Sequence, residues 1–234
     1  MESFKRIIVG INFSDRDADV LHYASAIANI EKAEEIYFVH VVPISHVSKK
    51  LQEEIKTIND LEKKKMEEIV HENLSVYPDT SLEFIVKEGN VVDEMLKMID
   101  ELGADLLILG RREREISHRK TVEKISAMAL CSVFVIPNKS KMEIHSILVP
   151  VDFSDYSVMA LNKAAKLAKI LDVEEITTIH IYDVKAQYIT TAYGSFYEPA
   201  VPPVEISVLA EQELENSRVK FDDFINKCDL QGIK

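Results

Sequence analysis

The chain has 234 residues, a formal net charge of −12 and a hydrophobic fraction of 47%. That length fits one or two domains with an ordinary core, and the acidic field argues against nucleic acid or an anionic membrane as a partner. No apolar run reaches the roughly 18 residues of a membrane span, MESFKRIIVG runs straight into a strand with no signal peptide, and Cys131 and Cys228 stand isolated, so a reduced, cytoplasmic protein is expected.

RIIVGI, from Arg6, is a short β-branched run of the kind that forms a buried parallel strand. DADVLHYASAIANI sets Val20, Leu21, Ala24, Ile27 and Ala28 on one helical face, and IYFVHVV is a second strand. A long charged helix is predicted from about His46 to Leu74, with Leu51, Ile55, Ile58, Leu61 and Ile69 as its apolar stripe. LEFIVKEG gives a third strand ending at Gly89, and VVDEMLKMIDELG a helix capped by Gly103. ADLLILG, TVEKISAMAL and SVFVIP supply a fourth strand, a fourth helix and a fifth strand stopped by Pro137. Strands and helices in this alternation predict an α/β fold, a doubly wound five-stranded parallel sheet with right-handed crossovers.

The pattern then begins again. RIIVGINFSD (Arg6 to Asp15) recurs as SILVPVDFSD (Ser146 to Asp155), at a constant offset of about 140 residues. Leu21, Ala24, Ala28, Glu34, Glu35 and His40 reappear as Leu161, Ala164, Ala168, Glu174, Glu175 and His180. The expected organisation is a complete domain over 1–138 and a partial second copy over 145–234, holding the first two strands and helices only. Its loop from Lys185 to Pro203 is rich in Tyr, Gly and Pro, and a helix comes next with Phe221, Phe224 and Ile225 among its apolar positions. Two strands alone leave a sheet face and an edge open, so those three residues are expected to lack the neighbours that a full sheet provides.

Ligands of open α/β sheets bind outside the carboxyl ends of the strands, where the strand order reverses. Three segments should meet there: the turn at Asn12, the end of strand two at His40 and Val41, and the loop GRREREISHRKTVEKI from Gly110. Arg111, Arg112, Arg119 and Lys120 in that loop read either as anion contacts or as a solvated stretch neutralised by Glu113, Glu115 and Glu123. The matched His40 and His180 read either as catalytic or as core histidines, and no nucleophile or carboxylate partner recurs with them. Ser14-Asp15 and Ser154-Asp155 suit helix caps, and Cys131 suits a small apolar packing residue. No hydrolase triad, metal cluster or Walker-type loop is visible in the sequence.

The repeated ILVPVDFSDYS, the five-strand alternation and ILGR…TVEKI…CSVFVIP together resemble the universal stress protein (UspA) superfamily in a tandem form. The resemblance implies an adenine nucleotide α-hydrolase-like sheet with strand order 3-2-1-4-5. It also implies a phosphate loop of the form G-x-x-G, about nine residues, then G-[ST], with an aspartate after strand one. Here Gly110 matches the first glycine, Glu113 stands at the second, and Lys120 replaces the last, while Thr121 and Val122 match the positions immediately after it. Asn12 replaces the aspartate, which the second copy keeps as Asp152. The implied nucleotide site is therefore degenerate: Asn12, Val41, Gly110, Thr121 and Val122 in the first copy, Asp152 in the second. No cofactor is expected in the first domain; ATP or AMP is the alternative for a complete second one. The resemblance also implies a homodimer through strand five and a non-catalytic stress-response scaffold. The competing readings are an ATP/AMP sensor and a nucleotide α-hydrolase-type enzyme.

Overall fold

The computed structural model describes residues 3–14, 16–43, 52–111, 116–137, 144–182 and 203–233. It divides into two compact units, Met1–Met142 and Glu143–Lys234.

In the first unit the elements run β1 (Arg6–Gly10), α1 (Asp17–Glu31), β2 (Glu35–Val42), α2 (Gln52–Asn73), β3 (Ser81–Glu88), α3 (Val91–Leu102), β4 (Leu106–Gly110), α4 (Ile116–Met128) and β5 (Ser132–Ile136). All pairings are parallel, in the order β3-β2-β1-β4-β5, the order that the sequence resemblance implies. Alternate side chains of β1 enter two separate cores. Ile7 and Val9 pack with Leu21 and Ala24 of α1 and with Met66 and Val70 of α2. Ile8 packs on the other face with Met95 and Ile99 of α3 and Ile125 of α4. A strand stretch buried on both faces has to be apolar at each buried position, and Ile7, Ile8 and Val9 are, with Arg6 exposed at the start.

Two details position the ends of the strands. Asp105, just ahead of β4, accepts hydrogen bonds from the backbone N–H of Lys5 and of Arg6, both at 2.9 Å. Gly103 ends α3 in the left-handed conformation at φ 58°, as its residue type predicts. Of the apolar stripe expected on α2, Ile69 packs against the core, whereas Ile58 and Leu61 are exposed and the fully buried positions are Met66 and Val70 instead; Leu51 and the Ile55 side chain lie outside the described residues.

The second unit contains β6 (Ile147–Pro150), α5 (Asp155–Ile170), β7 (Ile176–Ile179) and α6 (Pro203–Ile225). Its pairing, Ile147↔Ile176 through Pro150↔Ile179, repeats that of Ile7↔Ile36 through Gly10↔Val39. The turns repeat as well: Ala33 N–H to Ala28 C=O becomes Val173 N–H to Ala168 C=O, and the left-handed Lys32 becomes the left-handed Asp172. Of the predicted loop, residues 185–202 lie outside the described residues, and Pro203 already belongs to α6.

Phe221, Phe224 and Ile225 do find neighbours, contrary to the sequence expectation. Phe224 is fully buried, and Phe153 lies 5.8 Å from it and 6.4 Å from Phe221, measured between ring centroids. The reason is that α6 covers the Val149 and Val151 face of β6, the face that α1 and α2 cover on β1 in the first unit. Phe224→Ala should cost the second unit about 3–5 kcal/mol. Amide hydrogen exchange at Ile147–Val149 should then rise steeply while Ile7–Val9 keep their protection. Equal loss at both strands would instead mean that the two units unfold as one.

Candidate functional site

The strand order reverses between β1 and β4, and at their carboxyl ends a small hollow lies between the Asn12 turn and Gly110, without His40 or Val41 of the β2 end in its lining. Asn12, Ser14, Arg16, Asp17, Gly110, Arg111 and Ile136 line it. The cavity they enclose is about 10 Å³, room for roughly one water. Asp17, in the first turn of α1, is 2% exposed. The Ser14 hydroxyl donates to its Oδ1 at 3.3 Å, while Oδ2 is buried without a partner. Burial pushes the Asp17 carboxyl above its ordinary value, against the opposing pull of the backbone amides of Phe13, Ser14 and Asn12. Across the cleft the Arg111 N–H donates to the Ile136 carbonyl at 2.8 Å, and the Arg111 Nε is buried without a partner.

Gly110 has a structural reason to be glycine. A Cβ there would lie 2.9 Å from Val20 Cγ2, so its residue type follows from the approach of α1 to the end of β4.

The remaining sequence candidates are less concentrated. Val41 is buried at the end of β2, and Val122 is buried in the same core. α4 begins at Ile116, not at Thr121 as predicted, so Arg119, Lys120 and Thr121 stand on a helix and not in a loop. Nothing in ISHRKTVEKI breaks a helix, and the Arg119 Nε donates to Glu123 Oε1 at 2.8 Å across one turn. Arg119 and Lys120 are exposed there. Arg112 and Glu113 lie outside the described residues. Cys131 is half-buried beside the α3–α4 core, and burial raises its thiol pKa.

Two features of the site were not read from residue types. The first is a clasp present in both units. His40 Nδ1–H donates to the Ile11 carbonyl at 2.8 Å, and His180 Nδ1–H to the Val151 carbonyl at 2.8 Å. Phe13 and Phe153, left-handed at φ 55° and 66°, lie against these rings at 4.4 and 4.1 Å. Each imidazole therefore holds the exit of the first strand of its unit, which accounts for the repeated His without chemistry. The second is an exchange of carboxylates. In the second unit Asp152 Oδ1 accepts from the Ser154 and Ser157 hydroxyls, both at 2.6 Å, and from the Ser154 N–H at 3.0 Å. These bonds hold Asp152 down at about 2. Ser154 caps α5 by accepting from the Ser157 N–H. In the first unit Asn12 replaces Asp152 and Asp17 replaces Ser157, so the carboxylate has moved from the strand end to the helix. The expected Ser14 cap is accordingly absent; Arg16 occupies the cap position of α1 with no side-chain bond.

The sequence profile of the Universal stress protein family matches residues 3–137. The chain belongs to the universal stress protein family. A universal stress protein from Archaeoglobus fulgidus DSM 4304 superposes with a TM-score of 0.58 at 18% identity, over 78% of this chain and 69% of that one. UspA from Lactobacillus plantarum gives 0.45 at 17% identity, over 58% of this chain and 99% of that one. A universal stress protein in complex with cAMP gives 0.44 at 18%, over 58% of this chain and 98% of that one. Comparison with curated proteins gives no match. Among the described residues of this universal stress protein no three His, Cys, Asp or Glu side chains are grouped to hold a metal, and no helix is long and apolar enough to cross a membrane.

The two carboxylates should titrate in opposite senses. The fold resists ionising Asp17, so its contribution to stability is full below its ordinary pKa of 3.8 and is lost as pH rises through the raised folded value. Asp152 is the reverse: its contribution is present above 3.8 and is lost as pH falls toward 2. Carboxyl NMR titration should separate the two midpoints, and Asp17→Asn should raise the urea midpoint at pH 7 but not near pH 3. Coincident midpoints, or a gain independent of pH, would contradict the assignment.

Proposed function

We propose that this universal stress protein works by binding and pairing, without catalysis, and that the nucleotide cleft of its first unit is closed by its own side chains. The observation that carries this reading is the cavity of about 10 Å³ floored by the buried Asp17. An adenine nucleotide needs an open crevice of several hundred Å³ and glycines that let phosphate reach backbone amides. Here Asp17 is drawn to the turn amides instead, and Glu113 and Lys120 replace two of the family's glycines.

A second reading, an ATP/AMP sensor, rests on Asp152, which keeps the family's aspartate in ionised form after β6. Isothermal titration of the full chain with Mg-ATP separates the two. No binding, or binding lost in Asp152→Ala, is expected of a closed first cleft, and the latter favours the sensor. A dissociation constant near 1 μM, about −8 kcal/mol, that survives Asp152→Ala would overturn the proposal.

Pairing is assigned to β5, an edge strand of the first sheet. Val133 and Val135 on it are only half-buried, and Leu130 and Met128 beside its start are exposed. An apolar, unpaired edge favours strand-to-strand association of two copies. Val135→Lys should convert a dimer to a monomer in sedimentation; an unchanged dimer would mean that the interface lies elsewhere.

A further inference from the structure

Asp17 Oδ2, Asn59 Oδ1, Glu62 Oε2 and Arg111 Nε are the buried side-chain polar atoms without a protein partner among the described residues. The first and the last of them line the same hollow, between the start of α1 and the end of β4. One is a carboxyl acceptor and the other an N–H donor. Folded proteins rarely leave either kind of group unmet, because the lost hydration is then not recovered.

Local bonds fix both residues at the hollow. The Asp17 N–H donates to the Ser14 carbonyl at 3.1 Å, and the Ser14 hydroxyl donates to Oδ1 at 3.3 Å, which leaves Oδ2 for the hollow. The Arg111 N–H is held by the Ile136 carbonyl at 2.8 Å. Val20 and Ile136, 2% and 3% exposed, complete the wall with apolar surface.

Size and charge decide what fits there. A space of about 10 Å³ takes one water and nothing larger. The Arg111 guanidinium, with Arg16 also in the lining, disfavours a cation. The Asp17 carboxyl, with Asp19 beside it, disfavours an anion. A neutral molecule that accepts and donates at once meets both walls.

We infer that this hollow binds one water molecule, which accepts from Arg111 Nε–H and donates to Asp17 Oδ2, and that the bridge locks the start of α1 to the end of β4. The lock rests on the reading of the first cleft as closed, and it names what keeps it closed. It also gives Arg111 a role other than the anion contact that its residue type suggests: the guanidinium is turned inward, toward Asp17.

The test uses the full chain. A high-resolution crystal structure should show one ordered water about 2.7–3.2 Å from both atoms. A direct Asp17–Arg111 ion pair, or a hollow without density, would overturn the inference. In solution the Arg111 Nε–H signal of the isotope-labelled chain reads the bridge separately. Asp17→Ala admits mobile water and should speed exchange of this proton at least about tenfold. Asp17→Asn, whose amide oxygen accepts the same bridge, should change it by less than about threefold. Asp17→Ser, the residue found at position 157, gives the same comparison should the alanine variant not fold. Exchange indifferent to both smaller side chains would overturn the bridge, and so would a shift of the wild-type signal with excess inorganic phosphate. Titration with Mg-ATP keeps the two readings apart. ATP bound while the Nε–H stays slow overturns the closed cleft and the lock but not the water site; fast wild-type exchange without ATP binding overturns the bridge alone.

Discussion

β1 makes demands on all sides, and the first unit is organised around meeting them. Ile7, Ile8 and Val9 are consecutive and all fully buried, so helices have to lie on both faces of the sheet. Its edges are taken by β2 and β4. Where the ladder ends, side chains continue it: the Asp105 carboxylate holds the N–H groups at the start, and the His40 imidazole holds the Ile11 carbonyl at the exit. These contacts tie the start of β1 to the segment ahead of β4 and its exit to β2. Among the described residues of the second unit, β7 pairs with one edge of β6 and α5 and α6 pack on one of its faces.

The exit contact also carries strain. Phe13 and Phe153 occupy a left-handed conformation that aromatic residues rarely adopt, at about 1–3 kcal/mol each. The histidine ring lies against each of them, and in the first unit Lys65 Nζ stands 4.2 Å over the Phe13 ring as well. The turn is thus held from the strand side and from α2 together, and it presents Asn12 and Ser14 to the cleft in one conformation.

Much of this architecture was legible in the sequence, because buried parallel strands announce themselves as apolar runs and a duplication announces itself by offset. Other features were hidden for physical reasons. The stripe on α2 has the correct period, but periodicity does not tell which turns of a long helix overrun the sheet, and Ile58 and Leu61 do. α4 was expected to begin at Thr121, but the run ahead of it has no helix breaker and the helix already begins at Ile116. His40 was found but not explained, since its partner is a backbone carbonyl, which residue type cannot reveal. Asp17 drew no reading, since an acid in a first helical turn is ordinary, and only its burial marks it as part of the cleft. Gly110 carried two meanings, phosphate approach and helix packing, and the distance to Val20 supplies the second.

The exchange of carboxylates between the two turns constrains how either could change. Asn12 and Asp17 line one cavity with room for about a single water. Restoring an aspartate at position 12 while Asp17 remains would place two acids in that space, each raising the proton affinity of the other. Replacing Asp17 first, by the serine found at position 157, leaves Asn12 a neutral neighbour and opens the way. The two substitutions are therefore order-dependent: one sequence of steps crosses a destabilised intermediate, and the other does not. Two copies that began with the same turn have in this way become separated by a ridge, and drift by single residues does not readily carry one back to the other.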